Sequence, residues 1–415
     1  MRNQALRIAA LAVASRLNAD HSDKTGPSIP CQCGKTARYV ERRPKTFTSA
    51  LGPITLKRAY FHCEQCNEGF CPRDHSLGFE KSSLSPHVLR MVGLVGARVS
   101  FEEGHDLLRE LSGINVPTKQ VERGAESLGG EIFDYERLTV EAETEREVPM
   151  TLYLGMDGTG IPVRKSEVEG RKGKQPDGSA KTREVKLVTV WSAEGRDKDG
   201  IPVRDEGSVT YSAAIESAAT RDTDQEPSKF AKRVLREATR RRFAKASRHV
   251  ILGDGAEWIW NLAEDHFPNA IQIVDRYHAN EHIADAAKAI YGTEGELHKE
   301  WAHLRCSELK AGEIDAVLSA LEIHSVCEAA QDCSQYIRKN RNRMRYAYFH
   351  AEGLCTSTAV VESGCKRAIA LRLKTGGMFW TVSGANAIIA LRCSLISNRF
   401  EDFWESRSAT YRTAA

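Results

Sequence analysis

No stretch of this sequence reaches the roughly 18 consecutive apolar residues that a membrane-spanning helix needs, which argues against an integral helical membrane protein. A secretory leader is not expected either. The opening "MRNQALRIAALAVASRL" looks apolar, but Arg7 and Arg16 leave only eight uncharged residues between them, so it reads as an amphipathic helix. Nor is there an excess of one charge: 28% of residues are charged, yet the net charge is +3. Nucleic acid is therefore a permitted partner, and any case for it must rest on local clusters. The eleven cysteines are an odd number, unevenly spread. In a chain long enough to bury a core they argue against a disulfide framework and for a reducing compartment, with metal as the use of the clustered ones. A cytoplasmic protein is expected. There are no internal repeats.

What is present divides by pattern. At 415 residues the chain predicts two to four modules. After an N-terminal helix (1–30), residues 31–75 hold "CQCG", two strand-like runs broken at Gly52-Pro53, and "CEQC", which reads as a hairpin. Residues 84–135 read as helical and 136–149 as a charged linker. From 150 the period changes to "TLYLGMD", "EVKLVTVW" and "GSVTYSAAI", followed by a helix, "HVILGD", a helix and "IQIVD". Strands first, then alternation with helices, imply an α/β fold with a mixed sheet. Residues 282–345 are helical, and two further helices lie within 346–405. One biased segment, "RKSEVEGRKGKQPDGSAKTRE", reads as a mobile loop whose Lys172, Lys174, Lys181 and Arg183 suit a nucleic-acid backbone.

Two cysteine knuckles face each other across the hairpin. Cys31, Cys33, Cys63 and Cys66 can close a tetrahedral Zn²⁺ site, which a ribbon too small for its own core would need. The first knuckle is C-x-C, so His62 and Cys71 stand as alternative ligands. Between 100 and 132 two helical patterns flank Gly113 and Pro117. A helix-turn-helix there would present Lys119, Gln120 and Arg123 to a DNA groove. An ordinary helical hairpin fits the same pattern.

Three strand-like runs end in a carboxylate: Asp157, Asp254 and Asp275. Acids converging from strand ends and an adjacent helix can hold paired Mg²⁺ or Mn²⁺ ions for phosphodiester chemistry. The helix acid is expected to be Glu362 in "STAVVESGCKR", with Lys366 and Arg367 one turn on to face the same phosphate. Composition alone leaves Asp254 and Asp275 as rivals for the second position. The strand of Asp254 is expected beside that of Asp157, with the strand of Asp275 one further out. His278 is close enough in sequence to orient Asp275 as an auxiliary pair.

At this point the residues reach a family. "LYLGMDGTGIPVRKSEVEGRKGKQPDGSAKTREVKLVTVW", "VILGDGAEWIWNLAEDHFPNAIQIVDRYHA" and "VVESGCK", with "LGPITLKRAYFHCEQC" and "CPRD" upstream, resemble the transposases of bacterial ISKra-type insertion sequences. The resemblance implies an RNase H-like catalytic core at 150–281 and 346–405, interrupted by a helical insertion at 282–345. It implies Asp157, Asp254 and Glu362 as the metal-binding triad, and "DRYH" is similar to the D-x-x-H element of Mutator-like transposases. The implied activity is metal-dependent cleavage at the ends of a mobile element and transfer of the strands to target DNA. The implied partners are double-stranded DNA and further copies of the chain, on a bacterial nucleoid. Two rivals remain: an endonuclease with the same triad but no joining step, and a zinc-containing DNA-binding protein whose acids are structural.

Overall fold

The computed structural model describes every residue except 80–81, 141, 144–146, 174, 199, 219–225 and 414–415. Its contacts form two compact units, Met1–Tyr135 with Asn398–Ala415, and Glu136–Ser397. The residues from Asn398 onward, expected in the last part of the catalytic core, thus cluster with the N-terminal unit.

In the first unit, helix α1 (Arg2–Ala19) precedes a four-stranded antiparallel sheet in the order β1 (Ser28–Pro30), β2 (Thr36–Ser49), β3 (Gly52–Cys63) and β4 (Glu68–Phe70). The hairpin turns at Ala50-Leu51, so Gly52 and Pro53 open β3 and are not the break themselves. Along the sheet lie two small cores. Ala37, Ala59 and Phe61 pack with Cys31 and Cys63 at one end, and Phe47, Ile54 and Leu56 pack with Ala10 at the other. The ribbon therefore has apolar packing of its own, contrary to the expectation. Helix α1 is not cleanly amphipathic either. It buries Ala10, with Ala14 and Leu17 packed alongside, while Ile8 and Leu11 remain exposed. Helices α2 (Pro72–Ser76), α3 (Pro86–Arg98), α4 (Phe101–Leu107) and α5 (Thr118–Leu138) complete the run. A capping box between Ser100 and Glu103 starts α4. After a π-helical turn, Gly113 stops the helix in a left-handed conformation (φ 74°). Because α5 continues to Leu138, the expected linker begins later than its charge pattern suggests.

The second unit is a mixed α/β structure around a five-stranded sheet. Its strands are β5 (Thr151–Pro162), β6 (Thr182–Ser192), β9 (Thr210–Ala214), β10 (Arg248–Gly253) and β11 (Ile271–Val274), in the order β11-β10-β5-β6-β9. A two-residue-per-strand hairpin, β7 (Gly195–Arg196) and β8 (Pro202–Val203), lies in the β6–β9 connection. β6 runs antiparallel to both β5 and β9, whereas β10 and β11 run parallel to β5. Helix α6 (Lys229–Arg240) lies on one face, where Arg233 reaches Ser212 and Glu237 accepts from Thr210 of β9. Strand alternation turns the intervening Tyr211 to the other face. Helices α7 (Glu257–His266), α8 (Arg276–Tyr291), α9 (Leu297–Ala311), α10 (Ile314–Glu322), α11 (Glu328–Asn340) and α12 (Tyr346–Ala351) follow, the last five of them without an intervening strand. The chain then returns to the sheet. α13 (Ala359–Gly364) and a π-helical turn (Cys365–Ala370) pack on β5 and β6, α14 (Leu371–Leu373) follows, and α15 (Val382–Ile396) packs on β9.

The segment expected to be a mobile loop carries some local pairing among its described residues. Lys172 and Ser179 form a β-bridge, and the amide of Ala180 donates to the carbonyl of Arg171. Lys174 lies outside the described residues.

Candidate functional site

The central sheet brings the strand-end acids level. β10 pairs with β5 up to Leu252–Gly155 and with β11 up to Gly253–Val274. Continuing those registers sets Asp254 beside Asp157 on one flank and beside Asp275 on the other. Asp254 is thus next to the first acid, as its strand predicts, and Asp275 is one strand further out. One expectation changes. Asp157 does not end its strand, because β5 continues to Pro162 paired with β6. What ends near Asp157 is the neighbouring β10, so its carboxylate stands where the sheet narrows.

Gly155 explains how the third acid arrives. A Cβ there would lie 2.3 Å from Val361 Cγ2, so only a glycine lets α13 lie down on this strand. Gly364 makes the complementary approach, with Leu187 and Tyr211 each 2.8 Å from where its Cβ would be. Between these contacts the helix carries Glu362, exposed, and just beyond them comes Cys365, buried. Cys365 Sγ donates to Asp157 Oδ2 at 3.1 Å, and the Gly158 amide donates to Oδ1 at 2.6 Å.

Electrostatics follow from this packing. Burial pushes the Asp157 carboxyl up, opposed by the Cys365 and Gly158 hydrogen bonds and reinforced by the charges of Asp254 and Glu184. Partial burial also raises Glu362, with the charges of Asp275, Glu281 and Asp157 acting in the same direction. Burial and then the charge of Asp157 hold the Cys365 thiol far above its usual range, so it stays protonated and donates. No lysine or arginine forms an ion pair with Asp157, Asp254 or Glu362 among the described residues. Uncompensated hard oxygen donors of this kind suit a divalent cation. Among the described residues the side chains gathered closely enough to hold a metal ion are the four cysteines, and the three carboxylates do not form such a group.

Asp275 and His278 are not partners. Asp275 is buried and caps α8, accepting from the amide of Tyr277 at 2.9 Å and from the hydroxyl of Thr358. His278 Nδ1 instead meets Glu281 at 3.3 Å, and its charge acts on Glu362. Asp275 therefore ties the end of β11 to the segment that leads into the Glu362 helix. Two further residues escaped sequence reading. Tyr336 donates to the Asp254 carbonyl at 2.8 Å, and Cys365 reaches Asp157. Gly155 and Gly364 are the legible hint of the helix that brings Cys365, and Gly255 that of Tyr336.

In the first unit the four cysteines meet. Their sulfurs all lie within 4.8 Å of one another, with Cys31–Cys66 at 3.6 Å and Cys33–Cys63 at 3.7 Å. Tetrahedral zinc with bonds of about 2.3 Å separates its sulfurs by about 3.8 Å, so this donor set fits zinc. The alternatives drop out. His62 pairs with Asn67 at 3.2 Å, and Cys71 caps α2 outside the group. Backbone donation from Cys66 brings the Cys63 thiol down to about 7. Cys66 accepts from the Glu68 amide, yet burial and its three sulfur neighbours push it up to about 12.

The expected DNA-facing residues are divided. Lys119 and Arg123 are exposed on α5, with Lys119 paired to Glu122 at 2.7 Å. Gln120 is used internally, its amide donating to Ser83 Oγ at 2.7 Å, and so is withdrawn from any groove. Lys172 and Lys181 are exposed, whereas Arg183 is half-buried and donates to the Glu167 carbonyl at 3.2 Å. Lys366 and Arg367 are both exposed on the π-helical turn beyond Glu362.

The sequence pattern of an uncharacterised protein family, UPF0236, matches residues 34–396, which includes Cys63, Cys66 and all the acids but begins just after Cys31 and Cys33. The chain belongs to UPF0236. None of the curated proteins matches it. Among solved structures it is similar to the Drosophila P element transposase strand transfer complex, at 9% identity over 82% of this chain and 84% of that one. The TM-score of 0.27 is too low to equate the two folds. No helix among the described residues is long and apolar enough to cross a membrane.

Proposed function

We propose that this UPF0236 chain is a DDE-type transposase of the ISKra kind, which cuts DNA at the ends of a mobile element and joins the freed strands to a target. One observation carries the reading: β10 pairs parallel with β5 in a register that, continued past Leu252–Gly155, puts Asp254 level with Asp157, and the Gly155–Val361 approach lays the Glu362 helix on β5. Two further features support it. A central β5 with antiparallel β6 and β9 on one side and parallel β10 and β11 on the other is the strand pattern expected of an RNase H-like core. The uninterrupted helices α8–α11 stand between β11 and α13, where the resemblance calls for an insertion.

On this reading Asp157, Asp254 and Glu362 are the residues that would hold the cations. Paired Mg²⁺ or Mn²⁺ ions, when bound, supply an activated water or 3′-hydroxyl and stabilise the leaving oxygen. The protein's own residues set the geometry. Cys365 holds one oxygen of Asp157 while keeping its proton, and Asp275 anchors the approach to Glu362 through Thr358. Lys366 and Arg367 lie one turn on for the DNA backbone, with Lys172, Lys181 and Arg183 as a second contact. The cysteine ribbon holds Zn²⁺, and Lys119 and Arg123 offer α5 to double-stranded DNA. Two element ends require two active sites, so a homo-oligomer on DNA, associated with the nucleoid, follows.

The test is incubation of the full chain with duplexes carrying the DNA that flanks its reading frame, with Mg²⁺ or Mn²⁺, read on denaturing gels. Nicking at inverted repeats and joined products are expected. Nicking without joining would reduce the protein to an endonuclease, and neither product would overturn the reading.

A further inference from the structure

The helical segment between β11 and α13 does more than interrupt the core: two of the tyrosines at its far end reach back to the strand ends. Tyr336 on α11 donates its hydroxyl to the carbonyl of Asp254 at 2.8 Å, and Tyr346 on α12 donates to the carbonyl of Val274 at 3.1 Å. These carbonyls belong to the second acid and to the residue before Asp275.

At Asp254 the fit is tight on every side. The next residue, Gly255, has φ 101°, and a Cβ there would lie 2.6 Å from the Tyr336 ring. Asp254 Oδ1 already accepts from the Ala256 amide at 2.9 Å, so the turn is closed on itself as well as latched from outside. The Tyr336 ring also stacks on His282 of α8, with centroids 3.9 Å apart and planes 27° from parallel. Burial, followed by the charges of Asp254 and Asp275, holds the Tyr336 hydroxyl above its usual range, so it remains a neutral donor.

We propose that Tyr336 is a positioning residue for the second acid, making the helical segment part of the metal site and not merely an appendage to it. The inference rests on the assignment of Asp254 as a metal ligand. A hydroxyl that fixes the peptide of a ligating residue acts on metal affinity through the ligand's orientation, and the loss of such an outer partner weakens affinity by roughly tenfold or more.

The experiment compares the full-length wild type with Tyr336→Phe, which keeps the ring on His282 and Gly255 and removes only the donor. Mn²⁺ binding is measured by calorimetry, and nicking of a supercoiled plasmid carrying the flanking DNA is measured across Mn²⁺ concentrations. The variant should need roughly tenfold more Mn²⁺ for half-maximal nicking, with an unchanged KM for DNA and near-wild-type maximal rate at saturating metal. Should Tyr336→Phe lose its fold, His282→Ala keeps the hydroxyl, removes the stacked ring and should shift the metal dependence in the same direction. A wild type that binds Mn²⁺ and nicks, beside a folded variant of unchanged metal dependence, overturns this inference alone. A wild type that does neither overturns the transposase reading and this inference with it.

Discussion

The thiol of Cys365 donates to Oδ2 of Asp157 across 3.1 Å, joining residues 208 apart in sequence. Glu362 stands one helical turn before that cysteine, so the bond holds the helix of the third acid to the strand of the first. Removing the donor should loosen this geometry without removing a ligand. Cys365→Ala is expected to lower the nicking rate, and Cys365→Ser, which can still donate, should restore most of it. Equal rates in the wild type and the alanine variant would show that the bond is incidental.

The acids themselves should behave differently from their supports. Asp157→Asn, Asp254→Asn and Glu362→Gln each remove one charge at nearly constant shape. Cleavage should fall by orders of magnitude while binding to end DNA persists in gel shift. Near-normal cleavage by Asp254→Asn sinks the assignment.

Asp275 tests the boundary of the site. Both its oxygens are engaged, one by the Tyr277 amide and one by Thr358. Asp275→Asn and His278→Ala should slow strand transfer while leaving Mn²⁺ binding in place, whereas Asp254→Asn should weaken that binding. Metal titration of the three variants decides between Asp254 and Asp275 as the ligand.

The raised carboxyl of Asp157 makes a prediction about stability. Its folded form holds a proton more tightly than the unfolded chain, in which the group titrates near 3.8. Stability from this residue therefore falls as pH rises from that value through the folded one, leaving the ionised carboxylate as a cost at neutral pH. Asp157→Asn should raise the Tm of the metal-free protein at pH 7, by roughly 2–4 °C for each kcal/mol recovered in a unit of this size. The gain should vanish below the unfolded pKa, and added Mn²⁺ should stabilise the wild type more than the variant. A lower Tm for the variant at neutral pH would contradict the assigned shift.

The cysteines predict about one zinc per chain by metal analysis, the content of a single four-sulfur site. Cys66→Ser should lose it and loosen the N-terminal unit while leaving the Glu136–Ser397 unit folded. A metal-free protein with an intact ribbon, seen by hydrogen exchange across residues 28–70, would refute the site.

Local pattern alone determined a good deal here. Apolar alternation places the ribbon strands, and the change of period near 150 places the mixed sheet, because those signals depend only on neighbours in the chain. The cysteine pairs were readable for the same reason: each knuckle is local, and one hairpin joins them. The tertiary structure decided which polar side chains remain available. Gln120 carries a groove-reading chemistry but is taken by Ser83, and Asp275 resembles Asp254 until Thr358 claims it. His278 turns to Glu281. The extension of β5 past Asp157 is a matter of pairing, since β6 continues alongside and supplies the hydrogen bonds that Gly158 and Gly160 alone would not predict. Cys365 and Tyr336 reach the acids from 208 and 82 residues away, and no spacing rule spans such distances. Gly155 shows the limit. Its presence in a strand announces that something comes close, but only the packed fold shows that it is the helix of Glu362.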